Sequence, residues 1–327
     1  MGDYVSRNAN PVLKSIAPVV ERSVHVRIDW DRLKQFASRF MEGNIRHWVA
    51  ASHVDLSGMG ADEKLAFLFV FNSISFSYWG SPKWSVPLEG VPQRGTLYML
   101  HCLRRAVAEG KPILNPDYLA TIRREELAEI LKGTPEIPLL DARNNILRQL
   151  GSVTATGWGG KFSNYLEAAC GDAVDLLLVI EHALPSFWDE PCYGNDGVRV
   201  FFYKRAQLLV SDIHAVFNGE GYGDLVRTEK LTACADYILP MVLRHHGILV
   251  YSPVLADVVD NGVEVKNGSD EEIEIRANTV FAVELLKSEL LGRFPGITSM
   301  QLNDYLWLSR TRLPEGVKHH LTRTTAY

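Results

Sequence analysis

Cysteine is scarce in this chain: four residues, Cys102, Cys170, Cys192 and Cys234, with no Cys-x-x-Cys pair among them. No histidine stands at chelating spacing from any of them, so neither a structural zinc site nor a disulfide framework is signalled. Reduced thiols of this kind fit a cytoplasmic protein. Long apolar runs are missing too. The longest, 173–184, carries Asp175, Glu181 and His182 and is too short to cross a bilayer, and no secretory signal is recognised. Met1 to Ser6 matches the loose N-myristoylation pattern, but no polybasic stretch accompanies it, so no membrane partner is expected.

Positive charge is also in short supply. Thirty-four Lys and Arg stand against 39 Asp and Glu, a net charge of -5. A surface built to grip a nucleic-acid backbone needs a basic stripe, so no stable nucleic-acid binding is expected, while a small anion in a local basic pocket is allowed. No Pro/Ser/Gly linker or charge block divides the 327 residues, and 1–327 reads as one compact unit with two helical lobes. Strands do not alternate with helices, which excludes a Rossmann-type sheet. Gly157-Trp-Gly-Gly-Lys161 lacks the Walker spacing and the following Ser or Thr, so it is read as a turn rather than a triphosphate site.

Helical hydrophobic spacing is what the sequence has in quantity. Asn10-Pro11 opens one helix that Pro18 ends or kinks, Asp29 or Asp31 caps another, and 61–74 carries an aromatic-rich third. Ser23 to Asp29 reads as extended chain, with His25 in its alternating pattern. A short β-excursion is expected over 84–95. Further helices are predicted over 96–109, after Asn115 or Asp117, over 123–132, 139–150, 163–170, 173–184 and 279–291, and after Thr298. Alternation at Val263–Lys266 and Glu272–Arg276 around Asn267-Gly268 predicts a β-hairpin. The tail from Leu313 is mildly basic and predicts surface packing.

The stretch 198–246 organises the rest. Phe202, Ala206, Leu209, Ile213 and Val216 line one helical face that Asn218-Gly219 ends. Leu231, Ala235, Ile238 and Val242 repeat that spacing, but Pro240 cannot donate to the Asp236 carbonyl, so the second helix kinks or starts afresh beside a carboxylate. Asp236 either caps or pairs there, with Lys204 or Arg205 as the nearby cations, or it has a chemical task.

Phe202-Tyr203-Lys204-Arg205-Ala206-Gln207 and Ala235-Asp236-Tyr237-x-Leu239-Pro240 resemble the two most characteristic motifs of the queuosine salvage protein family, the queuosine 5′-phosphate N-glycosylases. Weaker matches follow in order along nearly the whole chain: Glu21-Arg22-Ser23-x-His25-Val26, Asn72-x-Ile74-x-Phe76-Ser77-x-Trp79, Phe162-x-Asn164, Leu184-Pro185-Ser186, Val283-Glu284-Leu285 and Tyr305-Leu306-Trp307. The resemblance implies a mainly α body similar to the helix-hairpin-helix DNA glycosylases, here with a minor β-hairpin. It implies hydrolysis of the N-glycosidic bond of queuosine 5′-phosphate and release of queuine for tRNA modification, with neither metal nor organic cofactor.

Under that resemblance Asp236 is the expected catalytic carboxylate. Lys204 and Arg205 point about a hundred degrees apart on a helix, so only one faces the pocket, and Lys204 is expected to meet the phosphate. Trp79, Phe202, Tyr237 and Trp307 are the candidate rings for base stacking. Asp189, Asp212 and Glu284 are the candidate acceptors for donors on the base, and His25 is a candidate pocket-lining residue. Two other classes remain compatible with the sequence: a non-catalytic queuine or nucleotide carrier associated with tRNA, which would not need Asp236, and a nucleic-acid base glycosylase, which would need a basic track.

Overall fold

The computed structural model describes residues 10–41, 43, 46–52, 54–88 and 91–327. The acylation pattern at Met1 to Ser6 lies outside the described residues. The chain is mainly helical, with three two-stranded antiparallel pairs among the described residues. No helix is long and apolar enough to cross a membrane.

Most elements begin where the sequence caps them. The helix Pro11–Arg22 starts under Asn10, whose Oδ1 accepts from Val12 N at 3.0 Å. It continues through Pro18, burying Val12, Ile16 and Val19. Asp29 caps Trp30–Ser38, Asn115 caps Pro116–Thr121 and Thr298 caps Ser299–Ser309. The extended chain after Ser23 becomes the strand Val26–Ile28, paired with Leu249–Tyr251. The excursion over 84–95 is the hairpin of Ser85–Leu88 and Val91–Arg94. The helix expected over 139–150 runs on to Gly157.

Three expectations are overturned. The hairpin predicted over 263–276 is not there: Ser269 caps a 21-residue helix, Asp270–Leu290, that includes Glu272–Arg276. Alternation marks a strand only when its polar members face water. Here Glu272, Glu274 and Arg276 are all buried, and each is partnered. Glu274 alone accepts from the backbone N–H groups of Val24, His25 and Val26 and from the Tyr193 hydroxyl.

The helix predicted from Val198 begins only at Lys204, because Tyr203 takes a left-handed backbone with φ 48°. Phe202 therefore precedes the helix instead of lining it. The tail, thirdly, is on the surface at 314–316 but turns inward from His320. Thr322, Thr324 and Tyr327 are buried, and Ser77 N donates to Tyr327 O at 2.8 Å while Trp79 Nε1 donates to Thr322 O at 3.1 Å. Its backbone groups find partners inside, which a mild positive charge does not forbid.

The buried side chains form two clusters. One gathers the helices Ala61–Ser73, Gly95–Ala108, Leu140–Gly157, Ala173–Ala183 and Lys204–Val216. The other gathers Trp30–Ser38, Ile238–His245, Pro253–Asp260, Asp270–Leu290 and Ser299–Ser309. Trp307 packs against both. The cleft described next opens along that border.

Candidate active site

Asp236 stands at a helix start, not within a helix. Residues 231–236 are irregular, the helix begins at Ile238, and Asp236 Oδ1 accepts from Ile238 N at 2.7 Å and Leu239 N at 3.0 Å. Pro240 falls in the first turn, where its missing N–H would have had no partner in any case. Of the two alternatives left by Pro240, the fresh start is the one realised. Both of these bonds go to one oxygen, and no described residue donates to Oδ2.

Lys204 opens the preceding long helix and is buried. Its ammonium makes no hydrogen bond or close ion pair with a described residue; burial lowers its pKa and the charge of Asp236 pulls it partly back up. A buried cation kept near a carboxylate without closing on it leaves room for something between them.

Both residues line a cleft of about 330 Å³, the lower end of the range for small-molecule sites. Trp79, Tyr237 and Trp307 are on its walls. The Tyr237 ring stacks on His319 with centroids 4.6 Å apart, and Arg310 lies over Trp307 at 3.3 Å. Burial lowers the Arg310 guanidinium to about 10, still a cation at neutral pH. Lys83 is a third cation in the lining, against the single carboxylate of Asp236. The cleft is thus locally cationic in a chain of net negative charge, as an anionic ligand requires.

Behind Lys204 and Asp236 the cleft narrows to a recess of about 40 Å³ that shares Ser75, Thr96 and Trp307 with it and reaches Asp304. Lys204 lines both spaces, whereas Lys83 and Arg310 line only the outer one.

Five of the ten expected site residues therefore meet: Asp236, Lys204, Tyr237, Trp79 and Trp307. The other five do not line the cleft. Phe202 is buried under the Arg276 guanidinium at 4.0 Å. His25 lies near Glu271, at 3.8 Å. Glu284 pairs with Lys287 and Ser299. Asp212 is fully buried and accepts from Trp48 Nε1 and Asn72 Nδ2, both at 2.9 Å.

Asp189 is buried and bonded within the protein. Its two oxygens take Arg276 Nη1 at 2.8 Å and Nη2 at 2.6 Å, and Oδ2 also accepts from Lys204 N at 3.1 Å. Arg276 in turn donates from Nε to Ala235 O at 3.2 Å. One buried ion pair thus fixes the backbone under Lys204 and the backbone ahead of Asp236. Sequence reading missed Arg276 because it assigned that segment to a hairpin. It missed His319 and Tyr327 because it assigned the tail from Leu313 to the surface, although the aromatic and basic residues there were a usable signal, and it missed Arg310, just before that tail, for want of any local mark.

A family model described as queuosine salvage protein matches residues 56–327. A relative from Sphaerobacter thermophilus, named queuosine 5′-phosphate N-glycosylase/hydrolase, is 39% identical and aligns over 97% of each chain. A relative of the same name from Mus musculus is 31% identical over 94% of this chain and 96% of its own, and one from Bos taurus is 31% identical over the same shares.

Proposed function

This chain belongs to the queuosine salvage protein family, and on that premise we propose that it hydrolyses the N-glycosidic bond of queuosine 5′-phosphate and releases queuine. The observation that carries the reading at the level of the residues is Asp236, held by two backbone N–H groups through one oxygen, in a cationic cleft walled by aromatic rings.

The substrate makes a particular demand. A purine leaving group can be activated by protonation at N7, but a 7-deaza base has carbon there. More of the barrier then falls on stabilising the oxocarbenium-like sugar and on activating water, and an ionised carboxylate serves both needs. The free Oδ2 of Asp236 is available for that task. Trp79, Tyr237 and Trp307 supply the π faces on which a nucleobase stacks. The step asks for no metal and no organic cofactor.

Lys204 alone was the sequence-based choice for the phosphate. Its place in both the cleft and the recess, beside Asp236, suits it better to the glycosidic end, and Arg310 and Lys83 suit the 5′-phosphate. A charge-assisted hydrogen bond contributes roughly 1.5–3 kcal/mol, so Arg310→Ala is expected to lower turnover of the nucleotide about ten- to a hundredfold more than that of the nucleoside. Lys204→Ala is expected to lower both alike. A phosphate role for Arg310 is wrong if its removal affects the two substrates equally.

The wall of the cleft draws on residues from 75 to 96, 204, 236–241 and 307–327, so the whole of 1–327 acts as one unit in this reading. The product queuine is free for reuse in tRNA modification, the setting is cytoplasmic, and the substrate is the free nucleotide and not the tRNA. The deciding assay offers the purified protein queuosine 5′-phosphate, queuosine and queuosine-containing tRNA side by side. Queuine released from the nucleotide and not from tRNA is expected. Release from tRNA would establish a nucleic-acid glycosylase, and binding without release a carrier.

A further inference from the structure

The recess behind Lys204 and Asp236 is too small for a nucleobase and large enough for a few water molecules, since one water needs roughly 10–15 Å³ measured in this way. A carboxyl stands at its far end that the reaction as described does not use. Asp304, on the helix Ser299–Ser309, is buried; its Oδ1 accepts from Asn303 Nδ2 at 3.1 Å and its Oδ2 from Trp48 N at 3.3 Å. A carboxyl, even when protonated, has acceptor sites beyond two, so these bonds leave capacity unused. Asp304 also lines a second cavity of about 310 Å³ together with His47 and His214, so its side chain borders both spaces.

We propose that the recess holds the attacking water and that Asp304 is a water-positioning residue of the hydrolysis, an inference that rests on the reaction assigned above. A water between Asp236 and Asp304 donates one hydrogen to each, and its lone pair is left facing the sugar. The water oxygen then forms its bond to C1′ while the C1′–N9 bond breaks, with its electron pair going to the base. The hydrogen held by Asp236 passes to it as a proton and is returned to the departing nitrogen, so the products are ribose 5-phosphate and neutral queuine.

Asp304 differs from Asp236 in the way this division of labour needs. Burial pushes the Asp304 carboxyl up to about 8, with Asp212 adding to the rise, so at neutral pH it keeps its own proton and orients the water without competing to deprotonate it. The ionisable groups around it are Lys204, Asp212 and His214 from the helix Lys204–Val216, Cys234 and Asp236 from the segment ahead of Ile238, and Arg46 and His47. His47 Nδ1 accepts from Val49 N, so its neutral form carries hydrogen on Nε2, which lies 3.5 Å from Asp212 and 3.8 Å from Asp304.

The test is nucleophile partitioning in buffer containing methanol, with hydrolysis and methyl riboside 5-phosphate both quantified. Asp304→Ala enlarges the recess and removes the acceptor, and it is expected to raise the ratio of methanolysis to hydrolysis at least about tenfold over the parent. Asp304→Asn, which keeps the shape and an oxygen that can accept from the water, is expected to hold turnover and the ratio within a few-fold of the parent. Asp212→Asn alters the neighbouring buried acid, which does not line the recess, and is expected to leave the ratio unchanged. The inference alone is overturned if the parent cleaves and Asp304→Ala keeps the parental ratio, if Asp212→Asn shifts it equally, or if Asp304→Asn shifts it as far as Asp304→Ala does. A parent that does not cleave overturns the assigned reaction together with the inference.

Discussion

Asp236→Asn is expected to bind queuine as the parent does and to release it from queuosine 5′-phosphate at least about a hundredfold more slowly, the lower range for loss of a general base. The substitution suits the site because the amide oxygen can still accept from Ile238 N and Leu239 N, the two bonds that start the helix Ile238–His245. What is lost is the charge. Asp236→Ala removes the cap as well and is expected to cost about 1 kcal/mol of stability besides. Single-turnover release of queuine, read beside a thermal melt of each variant, separates the two effects. Should the Asn variant turn over within a few-fold of the parent, Asp236 is only a helix cap and the catalytic carboxylate must be sought elsewhere in the cleft and recess.

The second large effect concerns stability. Arg276→Met is expected to lower the free energy of unfolding by about 3–5 kcal/mol, the usual cost of leaving buried carboxylates without their cation. Arg276 is the partner of two such groups, Asp189 at 2.6 Å and Glu272 at 3.5 Å, and all three side chains are buried. It also lies over the rings of Phe202 and Tyr327, so the guanidinium plane is packed as well as paired. The measurement is a urea midpoint with its slope. Combining Arg276→Met with Asp189→Asn and Glu272→Gln is expected to recover part of the loss, because neutral amides carry no unpaired charge. Turnover should fall with the single change even where the protein stays folded, because the same ion pair holds Ala235 O and, through Asp189, Lys204 N. A loss below about 1 kcal/mol would mean that the two acids find other partners or take up protons at little cost.

Division of labour around Asp236 follows from burial. Asp236 lines the cleft, Asp304 the recess, and Asp212 lies in the core, and their surroundings differ: Asp236 has its bonds from backbone amides, while burial raises both Asp304 and Asp212. Burial therefore disfavours charge on the two acids behind the one that must ionise. That arrangement is invisible in a linear reading, where all three are simply aspartates.

What the sequence determined by itself is what depends on near neighbours. Helix starts at Asn10, Asp29, Asn115 and Thr298 were readable because a capping side chain bonds backbone groups two or three residues on. The mainly α class was readable from spacing. The motif around Asp236 and Pro240 was readable as a break beside a carboxylate, with Lys204 as a nearby cation. The tertiary structure decided everything that depends on which faces are dry. Glu272 to Arg276 alternates like a strand but is helical, since its polar members are buried against Tyr327, Tyr193 and Asp189, partners 55, 81 and 87 residues away. Phe202, Asp189 and Asp212, candidate ligands for a base in sequence, are buried and do not line the cleft, because a polar or aromatic residue in sequence carries no mark of what will cover it. The tail, with His319 and Tyr327 on the cleft wall, could be placed only once its backbone had found donors on Ser77, Trp79 and Val265. Local hydrogen bonds are set by spacing along the chain; burial is set by partners the chain brings together only on folding.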